Sequence, residues 1–185
     1  MRMVPSRFAL VFALTFACAV PAKAGDFEQI VGKAADGTRY YQDSLVIKAP
    51  VARLWAAFTD TAQYRAWGAK VSAIDFRIGG MIEASYDPAG HLGDPQNIKN
   101  QIIAYIPGRL LVFRNIQAPD QLPGKRAYGD TVKTLELTAL SPDTTRVTVS
   151  GMGFGQSADF DALYAFFSKG DGEMLTVLKR AMERH

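Results

Sequence analysis

Residues 158–185 read ADFDALYAFFSKGDGEMLTVLKRAMERH, and this stretch decides the fold. Its apolar side chains recur at helical spacing, which predicts a long helix with one buried stripe made of Phe160, Leu163, Tyr164, Phe167, Met174, Leu178 and Ala181. Ser157 and Asp159 are suited to cap the first free N–H groups of that helix. Two glycines flank Asp171, and each costs about 1 kcal/mol relative to alanine inside a helix. The sequence therefore predicts a kink or a short break at residues 169–172.

The chain before this helix is predicted to be mostly strand. Residues 40–47 favour a strand, which Pro50 ends because proline has no N–H to donate. Two short helices are predicted next, at residues 51–58 and 61–67. Alternating apolar and polar residues at positions 74–150 then predict six further strands, joined mainly by short turns. This order indicates the α+β class, with a curved antiparallel sheet of about seven strands around the long C-terminal helix.

The first 24 residues have the composition of a secretory signal peptide. Two arginines precede an apolar run at residues 8–20, and an Ala-Lys-Ala sequence ends at Ala24. We expect cleavage near Ala24 and a periplasmic or secreted protein. Lipidation at Cys18 is the alternative, although residues 15–17 match poorly the small-residue pattern that precedes a lipidated cysteine.

Cleavage at this point would change the composition of the chain. It would take three of the 21 basic residues and leave 18, equal to the 18 acidic residues, so the mature protein has no electrostatic reason to bind nucleic acid. Cys18 is the only cysteine, so the mature chain would contain neither a disulfide nor a thiolate metal site. No later run approaches the roughly 20 apolar residues of a membrane span. We therefore expect an arm at residues 25–39 and one folded domain at residues 40–185.

Few residue patterns in the chain suit catalysis. A serine nucleophile would need a histidine as its base, and the two histidines are His91, in a loop, and His185, at the end. No motif with the spacing of metal ligands occurs. We therefore predict no catalytic residue, no metal and no cofactor, and we favour binding over catalysis. The sequence leaves the ligand and the oligomeric state open.

Strand phase selects candidate binding residues. If the apolar strand residues face inward, the two-residue period also carries Tyr86, Asn100 and Asn115 inward, where a ligand could supply the partner that a buried polar group needs. Asp171 lies near the inner stripe of the final helix. The alternative places the asparagines in water at strand ends and makes Asp171 a helix cap. The predicted ligand-binding residues are Phe76, Tyr86, Asn100, Phe113, Asn115, Phe160, Tyr164, Phe167 and Asp171.

Several short strings follow one another in an order typical of a known superfamily. They are Val46-Ile47-Lys48-Ala49-Pro50, Leu54-Trp55, Thr59-Asp60, Trp67, Phe76-Arg77-Ile78-Gly79-Gly80 and Pro107-Gly108-Arg109-Leu110. These strings resemble the START/Bet v 1-like (SRPBCC) superfamily, and more narrowly its branch related to activators of the Hsp90 ATPase. The resemblance covers about residues 40–184 and implies a helix-grip fold. It implies less about function, because members include lipid binders, polyketide cyclases and co-chaperone domains.

The resemblance and the aromatic-rich inner face together favour a binding protein. We expect an exported protein that holds a small hydrophobic molecule between the sheet and the C-terminal helix without transforming it. The alternative is a polyketide cyclase- or hydratase-like enzyme in the same cavity, with Asp171, Tyr86, Asn100 and His91 as its working groups. A protein-interaction module is disfavoured, since Hsp90 is cytosolic and this chain carries an export signal.

Glycines flank the first half of the predicted final helix. Three lie at residues 151–155, where we expect a flexible joint, and two lie at residues 170–172. A short helix between two loose ends is held by packing rather than by its own propensity. We therefore expect residues 158–169 and the loop at residues 117–129 to form a gate over the cavity.

Overall fold

The computed structural model, which describes residues 27–184, has one curved antiparallel sheet of eight strands. The strands are β1 (Glu28–Lys33), β2 (Arg39–Ile47), β3 (Val71–Ile74), β4 (Met81–Ser85), β5 (Ile98–Ile106), β6 (Leu110–Gln117), β7 (Val132–Ser141) and β8 (Thr144–Phe154). Their order across the sheet is β1-β2-β8-β7-β6-β5-β4-β3. Strands β3 to β8 thus form a meander, which β2 and β1 extend.

The predicted α+β class and curved sheet are confirmed, with one strand more than expected. The additional strand is β1, which lies in the segment predicted to be an N-terminal arm. It pairs with β2 from Glu28 opposite Ser44 to Lys33 opposite Arg39. The predicted signal peptide, including Cys18, lies outside the described residues.

Four helices complete the described fold: α1 (Val51–Thr59), α2 (Thr61–Trp67), α3 (Lys125–Tyr128) and α4 (Ala158–Met182). The two short helices predicted after the first core strand are confirmed as α1 and α2. Pro50 precedes α1 with a φ of −62°, the value that suits a helix start. Asp60 caps α2, because its side chain accepts a hydrogen bond from the Gln63 N–H at 2.8 Å. None of the helices among residues 27–184 is long and apolar enough to cross a membrane.

Helix α4 is continuous over 25 residues, so the predicted break at residues 169–172 is wrong. Ser157 caps its first turn, as predicted, by accepting from the Phe160 N–H at 3.4 Å. A Cβ at Gly172 would lie 2.8 Å from the ring of Phe27, whereas a Cβ at Gly170 would meet no atom within 4 Å. Gly172 therefore marks a close contact, and packing along α4 outweighs a propensity cost of about 1 kcal/mol for each glycine. The hinge expected in the middle of the final helix for the predicted gate is therefore absent from α4.

The core consists of two clusters of apolar side chains, and α4 spans both. The larger cluster joins α1, the middle of the sheet and the second half of α4, with Leu54, Ile102, Leu111, Leu135, Val147, Leu175 and Leu178 almost fully buried. The smaller cluster lies under the first half of α4 and comprises Tyr41, Ala118, Leu122, Ala127, Tyr128, Phe154, Leu163 and Phe167. A cavity lies where the two clusters meet, since its lining includes residues of both.

Candidate ligand-binding site

A cavity of about 650 Å³ lies between the inner face of the sheet and α4. Strands β4 to β8 form one wall and α4 the opposite wall, while α2 and the loop between β6 and β7 close the sides. Tyr86, Phe166 and Val177 contribute to its lining and are exposed, so the cavity opens to solvent beside them. Its lining is mostly aromatic and aliphatic, and its volume lies within the range of about 300–1,000 Å³ that is usual for small-molecule sites.

Five of the nine predicted binding residues line this cavity: Tyr86, Asn100, Phe113, Phe167 and Asp171. Tyr86 lies at the mouth, with 70% of its surface exposed. Asn100 and Phe113 contribute from β5 and β6, and Phe167 and Asp171 contribute from α4. Strand phase and helix phase therefore identified residues on both walls.

Phe76 and Asn115 do not line the cavity. Strand β3 ends at Ile74, so its two-residue period does not extend to Phe76, whose ring packs on Tyr105 with centroids 4.6 Å apart. Asn115 is buried, and its amide donates to Asn100 at 3.2 Å and to two backbone carbonyls. The protein itself satisfies this amide, so it needs no ligand.

Phe160 and Tyr164 also lie outside the cavity lining. The ring of Tyr164 packs edge-on against Tyr41 and Phe154, with centroid distances of 5.8 and 5.2 Å. Phe160 packs against the same smaller cluster. Helix α4 begins over this filled part of the core and contributes to the cavity only from Phe166 onward.

A buried polar cluster forms part of the cavity wall, and the sequence prediction had included only one of its members. Lys133 on β7 donates to the Tyr41 hydroxyl at 2.6 Å and forms an ion pair with Oδ2 of Asp171 on α4. The Tyr41 hydroxyl donates to the same carboxylate oxygen at 2.6 Å. The side chains of Lys133 and Asp171 are 5% and 12% exposed. The cluster thus bonds two strands of the sheet to the middle of α4.

Burial controls the protonation of this cluster. It raises the pKa of the Tyr41 phenol, and the Asp171 carboxylate raises it further, so the hydroxyl remains a donor. Burial lowers the pKa of the Lys133 amine, while Asp171 opposes that shift by favouring the ammonium. The Lys133 nitrogen also lies 3.9 Å from the centroid of the Phe167 ring, at the distance of a cation–π contact.

Asp43 adds a second acid beside the cluster. It is fully buried on β2, its Oδ1 accepts from Gln29 at 2.8 Å, and its Oδ2 has no hydrogen-bond partner among residues 27–184. Burial raises the pKa of Asp43, and Asp171 adds to the rise, although the bond from Gln29 opposes it. Two carboxyl groups therefore lie near one lysine.

Gly151 explains how Tyr41 reaches Lys133 across an intervening strand. Both residues are opposite Gly151 of β8 in the sheet register. A Cβ at Gly151 would lie 2.5 Å from Cε1 of Tyr41 and 2.7 Å from its hydroxyl oxygen. The glycine predicted to belong to a flexible joint instead lies within β8, where the lack of a side chain makes room for the Tyr41 ring.

The sequence carries a signal for Lys133 and Tyr41. Lys133 is two residues before the buried Leu135 on β7, and Tyr41 shares the strand phase of the buried Leu45 on β2. A lysine at an inward position indicates a buried partner. Its partner Asp171 is 38 residues away in sequence and on another element, so phase alone does not identify it.

Neither His91 nor a metal-binding cluster lies at the cavity formed by residues 27–184. The His91 side chain is mostly exposed, lies 3.7 Å from an Asp94 carboxylate oxygen and does not line the cavity. Residues 27–184 contain no group of three or more His, Cys, Asp or Glu side chains placed to hold a metal ion.

Several solved structures of low sequence identity share the fold of this chain. Solved structures with a similar fold include CalU16 from Micromonospora echinospora, with 18% identity, 87% of each chain covered and a TM-score of 0.59. They also include the Aha1 dimer from Colwellia psychrerythraea, with 16% identity, 77% of this chain and 94% of that chain covered, and a TM-score of 0.60. An Hsp90 activator from Plasmodium falciparum shares 13% identity over 76% of this chain and 94% of its own, with a TM-score of 0.56.

At such identities these structures establish a shared fold, and the sequence family rests on a separate match. No curated protein sequence matches the chain. The family model described as "Activator of Hsp90 ATPase homolog 1-like protein" matches residues 48–183. This match confirms the predicted START/Bet v 1-like resemblance and its narrower branch. The chain therefore belongs to the Activator of Hsp90 ATPase homolog 1-like family.

Proposed function

We propose that this protein binds a small, largely apolar molecule in the cavity between the sheet and α4 and does not transform it. The observation that supports this function is the cavity itself, which has a volume of about 650 Å³, a mostly apolar lining and a mouth open to solvent. Transfer of an apolar molecule from water into such a space is favourable because it removes apolar surface from water.

Filling the cavity from α4 provides a test of this proposal. Gly170 lines the cavity and has free space where a Cβ would be, so a leucine side chain at this position can occupy the binding volume. We expect Gly170→Leu to weaken binding of the apolar fluorescent probe phenylnaphthylamine about tenfold, equivalent to roughly 1.4 kcal/mol. Fluorescence titration of the mature protein measures this change.

Two control variants separate occupation of the cavity from other effects. Gly170→Ala adds one methyl group and is expected to retain probe binding, while its greater helix propensity stabilises the fold by about 1 kcal/mol. Lys169→Leu adds the same side chain at the preceding position, which is exposed and does not line the cavity, and should also retain binding. Equal probe affinity in all three variants would contradict the proposal, as would native mass spectrometry that finds no ligand together with an absence of probe binding.

We also propose that residues 1–24 direct export and are then removed. The support is the charged start, the apolar run at residues 8–20 and the Ala-Lys-Ala sequence that ends at Ala24. Intact-mass analysis of protein from the periplasmic fraction is expected to show a chain that begins at Gly25. A full-length chain in the cytoplasm would contradict export, and a lipid-modified chain that begins at Cys18 would favour the lipoprotein alternative.

The buried cluster of Lys133, Tyr41 and Asp171 favours a second candidate, a cyclase- or hydratase-like enzyme. Titratable groups with shifted pKa values in a concave site are typical of catalytic residues. Recovery of bound ligand after incubation distinguishes the two functions. An unchanged ligand supports binding, whereas a product that forms with the wild type and not with Lys133→Met supports the enzyme.

A further inference from the structure

The charges at the cavity wall restrict what kind of polar group a ligand can carry. Lys133 and Asp171 are the charged residues in the lining formed by residues 27–184, and they neutralise each other as an ion pair. Asp43 lies beside them and is also an acid. The wall thus offers no uncompensated cation, and an anionic head group would lose its hydration without gaining a counter-charge.

In the cluster of Lys133, Tyr41 and Asp171, one acceptor atom makes no hydrogen bond with the described residues, whereas most donors are already paired. Oδ2 of Asp171 accepts from both Lys133 and Tyr41, whereas its Oδ1 accepts no hydrogen bond from any residue in the range 27–184. The Lys133 ammonium uses one N–H on Tyr41 and one on Asp171, and the Phe167 ring covers a further side. The cluster therefore retains an acceptor, Oδ1, and has little donor capacity left.

Tyr128 supplies a donor at the same wall. It is buried, lines the cavity and stacks on Phe167 with ring centroids 4.7 Å apart. Within residues 27–184, the contacts between Tyr128 and Thr131 are made by the Tyr128 backbone carbonyl, which accepts from the Thr131 hydroxyl at 2.9 Å and from its N–H at 3.2 Å, and no hydrogen bond is made by the Tyr128 hydroxyl. Tyr128 and the Lys133–Asp171 ion pair meet at the Phe167 ring, because Tyr128 stacks on this ring and the Lys133 nitrogen lies 3.9 Å from its centroid. Burial raises the pKa of Tyr128, and the Asp171 carboxylate raises it further, so the phenol stays protonated.

The following inference specifies the ligand of the proposed binding function, and it rests on that function. We propose that the wall formed by Asp171 and Tyr128 anchors a neutral hydroxyl group on an otherwise apolar ligand. The ligand O–H donates to Oδ1 of Asp171, and the ligand oxygen accepts from the Tyr128 hydroxyl. The ligand class is therefore phenols and alcohols whose apolar body fills the remaining cavity, in preference to carboxylic acids of the same size.

Three matched compounds test this assignment: para-heptylphenol, its methyl ether para-heptylanisole, and para-heptylbenzoate, which is ionised at neutral pH. Each is used to displace phenylnaphthylamine from the mature wild-type protein. The phenol is expected to bind about tenfold or more tightly than the ether, which has no O–H to donate to the charged acceptor. The benzoate is expected to bind most weakly of the three.

Two variants and one control assign the preference to named residues. Tyr128→Phe retains the ring and removes the hydroxyl, so it should reduce the preference for phenol over ether several-fold. Asp171→Asn should reduce it further if that variant folds. Tyr164→Phe is the control, because its ring packs in the smaller core cluster outside the cavity lining, and the preference should not change.

The outcomes separate this inference from the function on which it rests. Equal affinities for the phenol and the ether, or tighter binding of the benzoate, would overturn the hydroxyl anchor and leave the binding function in place. If neither the probe nor any of the three compounds binds, the binding function fails as well. These results come from the wild-type protein, so they do not depend on the folding of any variant.

Discussion

Asp171→Ala is expected to lower the free energy of unfolding by about 3 to 5 kcal/mol, the usual cost of removing one partner of a buried ion pair. The reason is the environment of Lys133, whose side chain is 5% exposed and whose ammonium would lose its counter-charge. The Tyr41 hydroxyl would also lose the acceptor that lies 2.6 Å away. Urea denaturation of the purified protein, followed by circular dichroism, measures the change.

A double variant identifies the origin of that cost. Lys133→Met combined with Asp171→Leu removes both charges, and apolar replacement of a buried ion pair is often close to neutral. We therefore expect the double variant to recover most of the stability lost in Asp171→Ala, with a residual deficit because Tyr41 has lost both partners. A cost below about 1 kcal/mol for Asp171→Ala, or no recovery in the double variant, would show that the pair is not buried as described.

Gly151→Ala is expected to destabilise the protein by about 3 kcal/mol, at the upper end of the range for overpacking. The added methyl group would overlap the ring of Tyr41, which is fully buried and cannot move into solvent. Displacement of that ring would also break its hydrogen bonds to Lys133 and Asp171. Thermal and urea denaturation measure the loss of stability, and near-ultraviolet circular dichroism reports the environment of the tyrosine ring.

Gly129→Ala is the matched control for this steric effect. Gly129 has helical dihedral angles, with φ −65° and ψ −18°, and a Cβ there would approach only the Asn115 carbonyl oxygen, at 3.6 Å. This substitution is expected to be neutral or to stabilise by up to about 1 kcal/mol.

A second variant tests whether the Tyr41 ring is the cause of the overlap. Combining Tyr41→Leu with Gly151→Ala should remove most of the additional cost of Gly151→Ala. Similar losses for the two glycine substitutions would contradict the role assigned to Gly151.

The parts of the fold that the sequence predicts well are those governed by local patterns. The apolar stripe of α4, Pro50 before α1 and the alternation in β4 to β8 each reflect neighbours within a few residues. The break predicted at residues 169–172 is wrong because α4 is held by packing that is distant in sequence: Phe167, Leu175 and Leu178 are buried on both sides of the two glycines. The helix-propensity cost of each glycine, about 1 kcal/mol relative to alanine, is smaller than the stabilisation from such packing.

The residues of the candidate site also fall into those that local patterns predict and those that depend on contacts distant in sequence. Phe113, Phe167 and Asp171 follow from the phase of their own elements, and all three line the cavity. Phe160 shares the helix stripe with Phe167, yet it packs in a filled cluster, because the stripe does not reveal where the core beneath it is complete. The role of Lys133 depends on its ion pair with Asp171, which lies on another element. Local sequence patterns do not predict such a pairing.

The continuity of α4 bears on how long a bound molecule would stay. The helix is bonded to the sheet near its midpoint by Asp171 and has no internal joint about which its first half could swing. Exit beneath α4 would require separation of a buried ion pair, a step with a high activation barrier. The loop at residues 117–129 contributes five lining residues and is attached partly through the exposed contact between Lys125 and Asp120. Residence time would then follow the opening rate of that loop, and substitution of the exposed Lys125 or Asp120, which do not line the cavity, would change the dissociation rate more than the equilibrium affinity.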